Sequence, residues 1–179
     1  MTRASATPFL ALLLAAACAQ AERADRDKPL TIEADKPGIV DIARKTVMFE
    51  GKVVIAQGTL RIRAERVELR EVEHGYRQAI ASGTAGAPAS FSQKRDGFDE
   101  TFVGAAERIE YEDRGDVVRF TGAAVVRRMR ADVVADEISG HQIVYDNRAE
   151  RFSVVGQDGG RVRAVLAPRD KATPAEAKR

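Results

Sequence analysis

The chain of 179 residues has no tryptophan, one cysteine, two histidines, three tyrosines and seven phenylalanines. The lack of tryptophan and scarcity of tyrosine argue against a sugar-binding protein, which presents exposed aromatic platforms. Neither histidine, His74 or His141, stands in a metal-ligand spacing, and no cysteine set is available to hold zinc. No charge of one sign dominates: 29 basic residues face 27 acidic ones, spread along the chain. That balance gives no electrostatic case for nucleic acid. No apolar run reaches the roughly 20 residues a membrane-spanning helix needs. After Ala21 no segment keeps an apolar 3.6-residue period for three turns.

What is present begins with an export signal. Arg3 supplies a positive start, Pro8 to Ala17 an apolar stretch, and Ala19-Gln20-Ala21 a small-x-small cleavage site. Residues 1–21 are therefore expected to be a cleaved signal peptide, and the mature chain to reside in the periplasm. Cys18 follows Ala15-Ala16-Ala17, a poor match to a lipidation signal. If it leaves with the signal, the mature chain has no disulfide, and stability rests on backbone ladders and apolar burial. A lipidated Cys18 would instead tether the protein to a membrane. Residues 22–168 are expected to form one domain. Residues 169–179, within an aperiodic stretch of Ala, Lys and Pro, are expected to be a disordered tail.

Between these ends, alternation with period two is pervasive. Val47-x-Phe49-x-Gly51-x-Val53-x-Ile55 is one run and Leu60-x-Ile62-x-Ala64 another; Val118-x-Phe120 and Val162-x-Ala164-x-Leu166 follow. Successive strand side chains point to opposite faces, so these runs predict a sheet with one apolar and one polar face. The runs also repeat. A small residue, a polar one, then two alternating apolar positions lead through a polar turn to a second alternation ending in glycine. Units start at Ala34, Ala64, Ala106 and Gly140, 30, 42 and 34 residues apart. Such periods mark stacked supersecondary units. The closing glycines, Gly51, Gly83, Gly122 and Gly156, suggest bulges or bends. Each unit has an apolar face it cannot cover alone, and stacking buries that face in a continuous trough. Pro37 interrupts the first unit and suits an edge, where a missing N–H does no harm.

A search for chemistry returns little. Gly83-Thr84-Ala85-Gly86 continues into Ala87-Pro88, not into Lys and a helix, so it is not a phosphate-binding loop. Glu65 and Glu68 have the look of a carboxylate pair but fall on outward strand positions. Arg127-Arg128-Met129-Arg130 reads either as a contact for lipid phosphates or, preferably, as a charged edge strand that discourages aggregation. No cofactor, metal or catalytic residue is expected. Phe49, Phe91, Tyr111 and Phe120 lie on the apolar sides of their strands, either as ordinary core or as a lining for acyl chains.

Several blocks resemble the OstA-like family of periplasmic lipopolysaccharide-transport proteins. Leu30 to Asp35 resembles its opening strand, and Phe49 to Glu65 its most recognisable block. Gly86-Ala87-Pro88-Ala89-Ser90-Phe91 matches its Gly-x-Pro-Ala-x-Phe motif. Phe120-Thr121-Gly122-Ala123-Ala124 matches an aliphatic-Thr-Gly-Asn-Ala element, with Ala123 in place of Asn. Arg161 to Pro168 is similar to its last strand. The resemblance implies an all-β fold, a twisted antiparallel β-jelly roll open at both ends. It implies a non-enzymatic carrier of lipopolysaccharide, with lipid A chains inside and sugars in water. Implied partners are the jelly-roll domains of LptC and LptD and further copies of the chain joined head to tail. Family lipid contacts carry over onto Leu30, Phe91 and Tyr111, while a further aliphatic contact falls on Asp113. Alternation alone adds Ile32, Val47, Phe49, Ile62, Ile109, Val118 and Phe120. The rival readings are a membrane-tethered LptC-type member and a periplasmic polysaccharide-binding β-protein.

Overall fold

The computed structural model describes residues 25, 28–84, 86–95 and 97–168. The expected signal peptide and the expected C-terminal tail lie outside the described residues. Twelve strands follow in chain order: β1 (Thr31–Glu33), β2 (Ile39–Asp41), β3 (Thr46–Gln57), β4 (Leu60–Glu71), β5 (Arg77–Ser82), β6 (Ala89–Lys94), β7 (Glu100–Ala106), β8 (Arg108–Glu112), β9 (Val117–Arg130), β10 (Val133–Asp146), β11 (Arg151–Val155) and β12 (Arg163–Leu166). All pairings are antiparallel.

The sheet doubles over on itself. One layer runs β2, the first half of β3, the second half of β4, β5, β8, the first half of β9, the second half of β10, then β11. The facing layer runs β1, the second half of β3, the first half of β4, β6, β7, the second half of β9, the first half of β10, then β12. The four long strands pass through both layers, and the short strands come in pairs that divide between them. This is a jelly roll with β1 and β2 along one edge and β11 and β12 along the other.

The closing glycines lie on the bend. Between Glu50 and Val53 the ladder slips, so Gly51 and Lys52 oppose Glu65 alone; between Thr121 and Ala124, Gly122 and Ala123 oppose His141. All four bulge residues have positive φ: 83° and 47° in the first bulge, 83° and 45° in the second. Two left-handed residues in succession bend a strand sharply, and glycine takes the first of the two without a Cβ clash. The polar residue of each repeat flanks this line. Asp35 N–H donates to the Gly51 carbonyl, Glu107 N–H to the Gly122 carbonyl and Gly83 N–H to the Glu107 carbonyl. The repeat is thus the sequence image of one hairpin of a single layer, leaving the bend and returning to it.

Inside, period two holds on both sides of the bend but changes phase. In β4, Leu60, Ile62 and Ala64 are buried, then Val67. Two expectations need correction. The arginine run lies on β9, an interior strand paired to both β7 and β10, so it is not a charged edge. Its side chains are engaged: Arg127 with Glu137 at 2.7 Å, Arg128 with Asp136 at 2.7 Å and with Glu100 at 2.9 Å. Nor do Val162, Ala164 and Leu166 form an inward face. β12 starts at Arg163 and all its residues are exposed, whereas β11 at the same end keeps its alternation.

Candidate functional site

The two inner faces meet in one apolar cluster. It contains Ile62, Phe91, Ile109, Tyr111, Val118 and Phe120 as buried members, with Leu30, Ile32 and Phe49 half-buried against them. The inward positions of six different strands thus converge, as alternation requires. Phe91, on β6, meets Phe120, on β9, edge to face with ring centroids 5.4 Å apart and planes at 88°. That geometry is favourable for paired aromatic quadrupoles and fixes the layer spacing. Val47 stands apart, half-buried toward the open side of the roll.

At the β12 end lies a recess of about 260 Å³ lined by Phe102, Val126, Ile138, Phe152 and Leu166, with Arg95, Arg128, Asp136 and Glu137 around it. Phe102 comes from one layer, and Tyr145 and Phe152 from the other; their rings pack at 5.3 and 5.1 Å. At the β2 end a second recess, of about 290 Å³, is lined by Val40, Ile42, Val47 and Leu69 among polar neighbours. The interior is therefore packed at its centre and relieved at each end of the strand order. The sequence reading found Val47 but not Phe102, Val126, Ile138 or Phe152. Phe102, Val126 and Phe152 obey the alternation of their strands, while Ile138 lies in a stretch of β10 that is half-buried throughout; what singles them out is their position at the end of the roll, which needs the strand order.

Glu100 anchors the polar surround. Its carboxylate is buried and meets Arg95 at 3.0 Å, Arg128 at 2.9 Å and Arg130 at 3.2 Å. Burial pushes the carboxyl upward, but hydrogen bonds from Arg95, Arg128 and Arg130 outweigh it and hold the group below the ordinary carboxylate range. Asp113, where the resembled family has an aliphatic contact, instead accepts a hydrogen bond from the Arg77 backbone N–H at 2.7 Å and ties the start of β5 to the end of β8. Glu65 pairs with Lys36 at 3.2 Å, and Glu68 with Arg70 at 2.6 Å, so the two carboxylates serve separate ion pairs. Among the described residues no group of His, Cys, Asp and Glu could hold a metal ion, and no helix is long and apolar enough to cross a membrane.

This architecture has known counterparts. Residues 31–151 match the family described as LptA/(LptD N-terminal domain) LPS transport protein. The chain belongs to this family. Among its curated relatives, the lipopolysaccharide export system protein LptA of Escherichia coli K12 is 31% identical over 157 residues, covering 88% of this chain and 80% of that protein. LptA of Haemophilus influenzae is 27% identical over 161 residues, covering 89% and 90%. The lipopolysaccharide export system protein LptH of Pseudomonas aeruginosa is 24% identical over 171 residues, covering 91% and 93%. The crystal structure of LptH, described as the LptA-homologous periplasmic component of the lipopolysaccharide transport device of that organism, superimposes with a TM-score of 0.71 at 22% identity, covering 81% of this chain and 99% of LptH. The expected jelly roll of the LptA-like family is therefore the fold observed.

The fold also explains the departure at position 123. Ala123 is the second bulge residue, exposed, with φ of 45°. Asparagine tolerates the left-handed region better than other non-glycine residues, which accounts for Asn in the resembled element.

Proposed function

We propose that this chain is a periplasmic carrier of lipopolysaccharide, one link in a row of jelly rolls that passes the lipid from the inner toward the outer membrane. The observation that carries the reading is an apolar interior with a recess at each end of the strand order, in a chain of the LPS transport family. Burying a methylene is worth roughly 0.8 kcal/mol, so several acyl chains in water would drive aggregation, and an apolar trough prevents it. The work is partition and movement and calls for no catalytic residue.

Acyl chains would first meet the half-buried Leu30, Ile32, Val47 and Phe49. They would then part the packed centre at Phe91, Ile109, Tyr111, Val118 and Phe120. Edge strands with unpaired N–H and C=O groups offer joints for strand addition. Ile39, Val40 and Ile42 are exposed near one edge and Val162, Val165 and Leu166 near the other. Partners of the same architecture suit them: a second copy of this chain and the jelly-roll domains of LptC and LptD.

The test is photo-crosslinking to lipopolysaccharide with a probe at Phe91 and a control at Arg119, whose side chain is 42% exposed on the outer face. Crosslinking at Phe91 alone supports an internal path. Crosslinking at neither position would mean that the interior is a closed core and the carrier reading is wrong.

A further inference from the structure

The two layers are joined by backbone along one side only. The links β1–β2, β5–β6, β7–β8 and β11–β12, and the points where the four long strands cross between layers, marked by the bulges of β3 and β9, all lie on the bend line. The opposite margin is formed by hairpin tips: residues 42–45, 72–76, 113–116 and 147–150 on one layer, and 58–59, 95 with 97–99, and 131–132 on the other. The roll is built like a clam, hinged at the bend.

One ion pair crosses the free margin beside the β12-end recess. Arg95, in the β6–β7 tip, donates from Nη2 to Glu150 Oε2 at 2.8 Å; Glu150 belongs to the β10–β11 tip of the other layer. Arg95 is anchored on its own side. Its Nη1 donates to Glu100 at 3.0 Å, and its guanidinium stacks over the Phe98 ring at 3.8 Å from the centroid. Glu150 is held more loosely. Its side chain is 43% exposed and its backbone sits at φ of 47°, a region costly for a non-glycine residue. Nε of Arg95 is buried without a hydrogen-bond partner, so the guanidinium is incompletely satisfied where it stands. Behind the pair, Phe102 of one layer packs on Tyr145 and Phe152 of the other.

We propose that Arg95 and Glu150 form a latch across the free margin, whose release lets the layers part at the β12 end and an acyl chain pass sideways. The passage of lipid rests on the carrier reading above; the latch itself does not. A partly exposed ion pair is weak enough to break and reform on the time scale of exchange. Arg95, fixed by Glu100 and Phe98, stays poised to recapture Glu150. The aromatic contacts behind it seal the recess when the latch is closed.

The experiment uses the full chain with Cys18→Ser, and spin labels at Asp99→Cys and Ala149→Cys, two exposed positions on opposite sides of the margin. Glu150→Gln should broaden the label-to-label distance and shift it upward. Arg127→Gln breaks an ion pair of similar exposure that stays within one layer, and should leave the distance unchanged. With fluorescent lipopolysaccharide as probe, Glu150→Gln should speed both uptake and release about 3–10-fold with little change in affinity, as expected when a barrier falls while contacts persist. Unchanged distance in Glu150→Gln overturns the latch, as does an equal shift in Arg127→Gln. If unlabelled wild-type protein takes up no lipopolysaccharide, the carrier reading fails, and the distances still decide the latch.

Discussion

Gly104 on β7 lies directly beneath the ring of Phe120 on β9: a Cβ placed on Gly104 would stand 2.5 Å from Cε1 of that ring. Phe120 is fully buried and is held on another side by Phe91, so it has no free direction to move. Gly104→Ala should therefore destabilise the protein by about 1–3 kcal/mol, the usual cost of overpacking. Urea denaturation of variant and wild type checks this. An unchanged midpoint would mean that the layers are looser than these contacts indicate.

Ala123→Asn should have the opposite sign. The residue is exposed and left-handed, and the left-handed region costs an ordinary L-residue about 1–2 kcal/mol. Asparagine relieves part of that, so a gain of about 0.5–1 kcal/mol is expected, seen as a rise in Tm of a few degrees.

Glu100 makes stability depend on acid. Its folded carboxyl titrates below its unfolded value of about 4.3. Its contribution is therefore fully present above that unfolded value and is lost as pH falls through the lower, folded one. Glu100→Gln should cost roughly 2–3 kcal/mol at pH 7, less than the ~3–5 kcal/mol of a fully buried pair. The discount reflects its arginines, whose side chains keep 21%, 25% and 54% of their surface in water. The loss should shrink in acid. Denaturation midpoints at pH 7 and pH 3 measure both, and an equal loss at the two pH values would remove Glu100 from the account.

If the edges are joints, charge there should part them. Val40→Lys and Leu166→Lys both change side chains exposed on edge strands, 62% and 71% respectively. Each should leave the fold intact and lower concentration-dependent association at least ~10-fold, a loss of about 1.4 kcal/mol. Sedimentation velocity over a range of concentrations reads this directly. Association unchanged in both variants would place the joint elsewhere.

The strands and their inward faces were legible in the sequence, because alternation is a local property of the chain. Ile62, Phe91, Ile109, Val118 and Phe120 all fall inside as their periods require. The bends were legible too, since left-handed backbone calls for glycine at Gly51 and Gly122 whatever the surroundings. The family could be read from the order and spacing of its blocks. Three things depended on the tertiary structure. Which strand is an edge follows from pairing, so the arginines of β9 were misplaced until its neighbours β7 and β10 were known. Which apolar residues line a recess follows from strand order, so Phe102 and Phe152 stood out only once their strands lay at one end. And the Arg95–Glu150 pair joins residues 55 apart in the chain. Pattern along one strand is fixed by the pleat, residue by residue; a contact between layers exists only after the sheet has folded over.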